Sequence, residues 1–256
     1  MSSTVPVQTV ADGVDRLGDR AVNFYLVHHP DGLLLIDAGL PGHLAQFQRH
    51  LAALGREPAD IKAVLLTHAH PDHTGLVAPL HRAGAEVWVQ RQDAAILSGG
   101  PRSAMRLAKP EGSMLRYLLR RPSGIGAPLH MARNGGFTAP PFAEAREFEG
   151  DTAFETLPGR PRAVAVPGHT SGSTAYVFED RGLVFTGDAL VTHDGLTGRR
   201  GPGTVSRAFT HDSAAALASL DRLPELPDAV LLPGHGDPFT GGIAAATAEA
   251  RRRGVA

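Results

Sequence analysis

The nine residues Thr67-His68-Ala69-His70-Pro71-Asp72-His73-Thr74-Gly75 place three histidines and one aspartate within six positions. Two readings compete: a solvated polar loop, or a metal site. The residues just before, Ala63-Val64-Leu65-Leu66, are aliphatic and read as a buried strand. At the end of an extended strand His68 and His70, two apart, point the same way, because side chains alternate. Asp72 and His73 follow as the chain turns towards a helix. Imidazole and carboxylate suit zinc, and also iron or manganese. One turn cannot close even one coordination sphere, so further ligands must come from elsewhere.

The same pattern recurs along the chain. Leu33-Leu34-Leu35-Ile36 runs into Asp37-Ala38-Gly39, and Ala163-Val164-Ala165-Val166 into Pro167-Gly168-His169. Leu183-Val184-Phe185-Thr186 runs into Gly187-Asp188, and Ala229-Val230-Leu231-Leu232 into Pro233-Gly234-His235. Each is a short β-favouring run closed by Gly, Pro or Asp. If these strands share a sheet and a direction, the polar residues line one edge of it, where open sheets carry their chemistry. Helical spacing marks 41–54, 75–82, 213–223 and 243–253, with Asp212 or Ser213 as N-cap of the third. Strands alternating with helices give an α/β layered architecture.

The composition narrows the chemistry. Cysteine is absent, so disulfides, thiolate ligands and cysteine nucleophiles are excluded, and any metal sits on His, Asp or Glu. The formal net charge of −1 suits neither a nucleic-acid polyelectrolyte nor an acidic tail. No stretch approaches the ~20 apolar residues of a membrane span. MSSTVPVQTVADGVDRL has no basic start followed by an apolar run, so no leader is read and a cytoplasmic location is expected. The expected partner is a small-molecule substrate, with no nucleic acid and no membrane. The 256 residues are read as one domain, 1–256, with an insertion at about 98–149. That segment shows no clear strand and begins with a basic amphipathic stretch, Arg102 to Pro122. Its apolar stripe (Met105, Leu107, Met114, Leu115, Tyr117, Leu118) reads as ordinary packing, as the wall of a lid, or as a homodimer contact. Its arginines read as a solvated face or as partners for an anionic part of a substrate.

HxHxDH after a strand, then GHT, then GD, then a final GH, resembles the metallo-β-lactamase fold hydrolases. Here the pieces are THAHPDHTG, VPGHTSGSTAY, LVFTGDAL and LLPGHGDP, with LLIDAGL matching the early Asp motif. GHTSGS and FTGD look like the glyoxalase II branch. The resemblance implies a four-layer αββα sandwich with its site at one sheet edge and a helical, lid-like insertion. It assigns one metal to His68, His70 and His169, and a second to Asp72, His73 and His235. Asp188 matches the bridging carboxylate, and Asp37 an aspartate behind the ligands that stiffens them. The implied cofactors are two divalent ions, zinc foremost, with iron or manganese accepted. Two cations ~3.5–4 Å apart share a water and turn it into a hydroxide nucleophile near neutral pH. The implied reaction is hydrolysis of a small ester, thioester or lactone. Asp72 is the candidate proton shuttle, and His193 a candidate on the substrate side, where some lactonases of this fold carry a Tyr. His211 is a further candidate neighbour. Rival readings are a mononuclear iron persulfide dioxygenase on His68, His169 and Asp188, a phosphodiesterase of the same fold, and a metal-binding protein without catalysis.

Overall fold

The computed structural model describes residues 6–224, 226 and 228–256. Residues 1–5, part of the stretch read above for a leader, lie outside the described residues. The first seven strands are β1 (Gln8–Ala11), β2 (Val14–Gly18), β3 (Asn23–His29), β4 (Gly32–Ile36), β5 (Ile61–Leu65), β6 (Glu86–Gln90) and β7 (Arg146–Phe148). They form one sheet in sequence order, antiparallel from β1 to β4 and parallel from β4 to β7. Next come β8 (Thr152–Ala153), β9 (Arg162–Ala165), β10 (Thr174–Phe178) and β11 (Leu183–Gly187). A small ribbon, β12 (Val191–His193) with β13 (Arg200–Gly203), precedes β14 (Val230–Pro233). The second sheet has the order β14-β11-β10-β9-β8.

Among the described residues the α-helices are α1 (Leu44–Ala53), α2 (Val77–Arg82), α3 (Arg91–Gly99), α4 (Pro101–Leu107), α5 (Met114–Arg120), α6 (Gly126–Arg133), α7 (Ser213–Ser219) and α8 (Ile243–Arg253), with short 3-10 turns between some elements. Asp212 is the N-cap of α7, its side chain accepting from the Ala215 amide at 2.8 Å.

Side-chain alternation explains the layering. Leu34 and Ile36 of β4 join Tyr25, Val27, Tyr176, Phe178, Phe185 and Leu232 in a core between the two sheets. Their neighbours Leu33 and Leu35 face the other way, with Phe47 and Leu51 of α1 and Val77 and Leu80 of α2. On the far side Val164, Val177, Val184 and Leu231 meet Ile243, Ala246 and Ala250 of α8. Strands buried on both faces read as continuous apolar runs, which is why these were conspicuous in the sequence. The result is the αββα sandwich.

Two sequence expectations change. The five strand-then-polar runs do not share one sheet: β4 and β5 belong to the first, and β9, β11 and β14 to the second. The stretch read as strandless contains β7, which extends the first sheet beside β6. It has three residues, below the length at which alternation can be read.

Before β7 the insertion carries the helices α4 to α6, joined by irregular stretches. It bridges two groups of loops. On one side the Gly42 amide donates to the Asn134 carbonyl at 3.0 Å. On the other, Glu111 accepts from the Ser213 amide (2.8 Å) and hydroxyl (2.6 Å). The expected apolar stripe divides: Met114, Tyr117 and Leu118 are half-buried, whereas Met105, Leu107 and Leu115 are exposed. Among the described residues no helix is long and apolar enough to cross a membrane.

Phe185 lies between the sheets, fully buried, with its ring 5.3 Å from that of Tyr25 and 5.6 Å from that of Phe178. Phe185→Ala is expected to cost about 3–5 kcal/mol in urea unfolding. A loss under 1 kcal/mol would show that the inter-sheet core does not hold the fold.

Candidate metal centre

Every candidate ligand follows the carboxyl end of a strand, and both sheets open onto the same edge. β5 leads to His68, His70, Asp72 and His73; β9 leads to His169, β11 to Asp188 and β14 to His235. Hydrogen bonds stitch the two sets of loops together. The Thr174 amide donates to the Thr67 carbonyl at 2.8 Å, and the Tyr176 hydroxyl to the Leu66 carbonyl at 2.9 Å. The Asn23 amide donates to the Gly234 carbonyl at 2.8 Å.

The ligand atoms form three overlapping groups: His68, His70 and His169; Asp72, His73 and His235; and His68, His73 and Asp188. In the first, His169 Nε2 lies 2.8 Å from His70 Nδ1 and 3.2 Å from His68 Nε2. In the second, Asp72 Oδ2 lies 3.8 Å from His73 Nε2 and 3.6 Å from His235 Nε2. Asp188 stands between them. Its Oδ2 is 3.0 Å from His235 Nε2, 3.4 Å from His169 Nε2 and 4.0 Å from His68 Nε2. Its Oδ1 is 3.5 Å from His73 Nε2.

Second nitrogens are tied so that the first ones point inward. His73 Nδ1 donates to Asp37 Oδ2 at 2.9 Å, and His235 Nδ1 to the Ala21 carbonyl at 2.5 Å. Thr67 Oγ1 donates to Asp37 (2.8 and 3.0 Å) and is therefore free to accept from His68 Nδ1 at 3.1 Å. Asp37 thus fixes one histidine directly and another through Thr67. It also accepts from the Thr67 amide at 2.8 Å. To do this it adopts a left-handed backbone, φ 59°, a conformation a non-glycine residue takes at some cost.

The residues fit a cation. His73 Nε2 and Asp188 Oδ1 are buried without a hydrogen-bond partner among the described residues, an arrangement that is costly unless something polar fills the gap. Three ring nitrogens converge in the first group. Burial pushes His68, His70 and His169 below the ordinary imidazole range, which keeps them neutral and able to ligate. Burial also opposes charge on His73 and His235, but Asp37 and Asp188 outweigh it, raising His73 to about 9 and His235 to about 10. Burial works against the Asp188 carboxylate, yet His235 and His73 hold it well below the usual range. Without a metal these groups carry compensating charges; with one, the ring protons leave. Small residues make room: a Cβ on Gly234 would lie 2.4 Å from Asp188 Oδ1 and 2.7 Å from His73 Cε1.

Three functional positions escaped the sequence reading. Asp93, fully buried on α3, accepts from the Ala69 amide (2.9 Å), Thr170 Oγ1 (2.8 Å) and the Gly172 amide (2.8 Å). Ala69 lies between His68 and His70, and Thr170 follows His169, so one carboxylate pins both loops of the first group. Its only sequence signal is an acid in the first turn after an apolar strand, Glu86 to Gln90, that was not read as one. Asp19, equally buried, accepts from the amides of Ala21 (2.8 Å) and Val22 (3.0 Å), fixing the turn whose carbonyl holds His235. Its Oδ2 also meets His43 Nε2 at 3.0 Å and His130 Nε2 at 2.8 Å. His130 thereby ties α6 of the insertion to the turn at residues 19–22.

His193 sits on β12, half-buried, opposite Arg200 of β13. His211 touches the site through its backbone: its amide donates to the His169 carbonyl at 3.1 Å, while its ring faces the Lys109 carbonyl.

A model of the metallo-β-lactamase superfamily matches residues 17–235, and the chain belongs to that superfamily. Among its relatives, the probable metallo-hydrolase YflN of Bacillus subtilis is 26% identical, with 90% of this chain and 86% of the relative covered. A hydroxyacylglutathione hydrolase of Cupriavidus taiwanensis is 32% identical over 73% of this chain, but this chain spans only 53% of that enzyme. The crystal structure of TTHA1623 in a di-iron-bound form is 29% identical, with a TM-score of 0.61, covering 91% of this chain and 96% of that one. The protein is thus a metallo-β-lactamase superfamily hydrolase carrying a His/Asp cluster suited to divalent metal.

Asp93→Ala is expected to weaken metal retention about 10–100-fold, read by chelator competition, while leaving every candidate ligand in place. Unchanged retention would remove Asp93 from the account. His130 offers a second check. Its bond to Asp19 raises its pKa against the effect of burial. A raised folded-state value stabilises fully below the ordinary ~6.5 and fades as pH rises through the raised value. His130→Gln should therefore cost about 1 kcal/mol at pH 6 and less at pH 9. A loss independent of pH would contradict the pairing.

Proposed function

We propose that the chain hydrolyses a small ester, thioester or lactone at a site holding two divalent ions, zinc foremost, with iron or manganese as alternatives. The observation that carries this reading is the position of Asp188, whose two oxygens face both ligand groups at 3.0 to 4.0 Å. His68, His70 and His169 would hold one ion, and Asp72, His73 and His235 the other. A bound pair of such cations supplies an activated water and polarises the oxygen of the attacked bond.

The protein's own groups do the rest. Asp37 and Asp93 keep the imidazoles from turning. Asp72, partly open to solvent, would take a proton and pass it to the leaving group. His193 lines a cavity together with Gly236, the residue after His235, and would face the substrate there. The substrate is a small molecule. A glutathione thioester is not carried over, because this chain spans only about half of the matching hydroxyacylglutathione hydrolase.

A mononuclear dioxygenase site on His68, His169 and Asp188 would leave Asp72, His73 and His235 without a task, so the dinuclear reading is favoured. The iron-bound neighbour keeps iron among the candidate metals without changing the ligand set.

Metal-loaded protein is expected to cleave at least one of a chromogenic ester, thioester and lactone panel. Asp188→Ala and His169→Ala should each reduce turnover by 10³-fold or more, on the order of the several kcal/mol that metal assistance supplies. Wild-type rates in both variants would refute the proposal; oxygen uptake with a persulfide and no ester cleavage would replace it.

A further inference from the structure

A cavity of about 770 Å³, within the size range of small-molecule sites, is lined by Gly236, the residue after His235, and by none of the candidate ligands themselves. Arg16, Arg20 and Arg200 line it, together with His193, Gly236 and Asp237. One guanidinium is spoken for: Arg16 donates to Asp237 Oδ1 and to Asn23 Oδ1, both at 2.9 Å. Neither Arg20 nor Arg200 has a side-chain hydrogen bond or an ion-pair partner among the described residues, so the cavity carries two uncompensated positive charges.

Hydrogen bonds tie the chain segments beside both arginines to the same candidate ligand, His235. Arg20 precedes Ala21, whose carbonyl accepts from His235 Nδ1 at 2.5 Å. Arg200 belongs to β13, which pairs with β12, and the Thr192 amide of β12 donates to the His235 carbonyl at 3.0 Å. Gly236, the next residue, forms part of the cavity wall. A Cβ there would lie 2.3 Å from Thr192 Oγ1 and 2.6 Å from the His193 amide nitrogen, so the wall is closely packed.

The geometry points to an oxyanion subsite: Arg20 and Arg200 bind the carboxylate or phosphate at the non-reacting end of the substrate while its scissile bond lies at the metals. Guanidinium forks match planar carboxylate and phosphate oxygens, and two of them facing one cavity favour an anion over a neutral tail. The inference rests on the hydrolase reading for the word substrate, but the anion site itself does not.

Two measurements separate these. Metal-loaded wild type, Arg20→Gln/Arg200→Gln and the single charge reversals Arg20→Glu and Arg200→Glu are titrated calorimetrically with inorganic phosphate and with glutarate. Binding of at least one anion should weaken about tenfold or more in the double variant, and the preferred anion separates phosphate from carboxylate. Identical isotherms for both anions in wild type and in every folded variant would overturn the site. In parallel, kcat/KM is compared for a neutral ester and for the same ester ending in carboxylate or phosphate. Wild type should prefer a charged ester by about tenfold or more, with the preference lost in the double variant. An equal ratio in both proteins would overturn the placement of the substrate's tail. No cleavage of any ester, thioester or lactone by wild type would defeat the hydrolase reading, leaving the titration to decide the anion site.

Discussion

The hydrogen bonds of Asp37 are the constraint on which the centre depends. A buried carboxylate is costly unless its lone pairs are used. Here they accept from the Thr67 amide, the Thr67 hydroxyl and His73 Nδ1. Those partners form the first turn after β5. Satisfying Asp37 therefore shapes the loop that carries four candidate ligands and sets the tautomers of two of them. The left-handed φ of Asp37 is the local cost of aiming its carboxylate across to the neighbouring strand's loop.

Asp93 and Asp19 repeat that logic on the other two sides. Asp93 gathers the amides and hydroxyl next to the histidines of the first group, and Asp19 gathers the turn that holds His235. Three buried carboxylates thus stand behind the candidate ligands, each with its oxygens occupied by hydrogen bonds from the turns it holds. Two sheets are required because each supplies part of the ligand set. The core between them fixes their separation, and Asp188 reaches both ligand groups only at that separation. The insertion leans on the same frame through His130 and Asp19. Function and stability are coupled there: weakening the turn at residues 19–22 loosens both the helical cover and His235.

Much of this is legible in the sequence. The candidate ligands stand out because imidazole and carboxylate suit divalent metals, and because doubly buried strands are plain aliphatic runs that end abruptly. The αββα arrangement followed from resemblance and not from periodicity: side-chain alternation cannot tell which sheet a strand joins, and the five runs divided between two. Asp93 was hidden because its partners are main-chain amides far away in sequence, which leave no residue pattern. Asp19 and His130 are 111 positions apart and meet only through the packing of α6. β7 was too short to read. The arginines of the cavity are separated likewise: Arg20 and Arg200 are 180 positions apart in the chain and line one cavity only once it is folded.

If Asp188 is shared between two complete ligand groups, native mass spectrometry of the metal-free chain titrated with zinc shows two ions bound per chain at saturation. Saturation with a single ion, or with none, means that no such shared carboxylate exists.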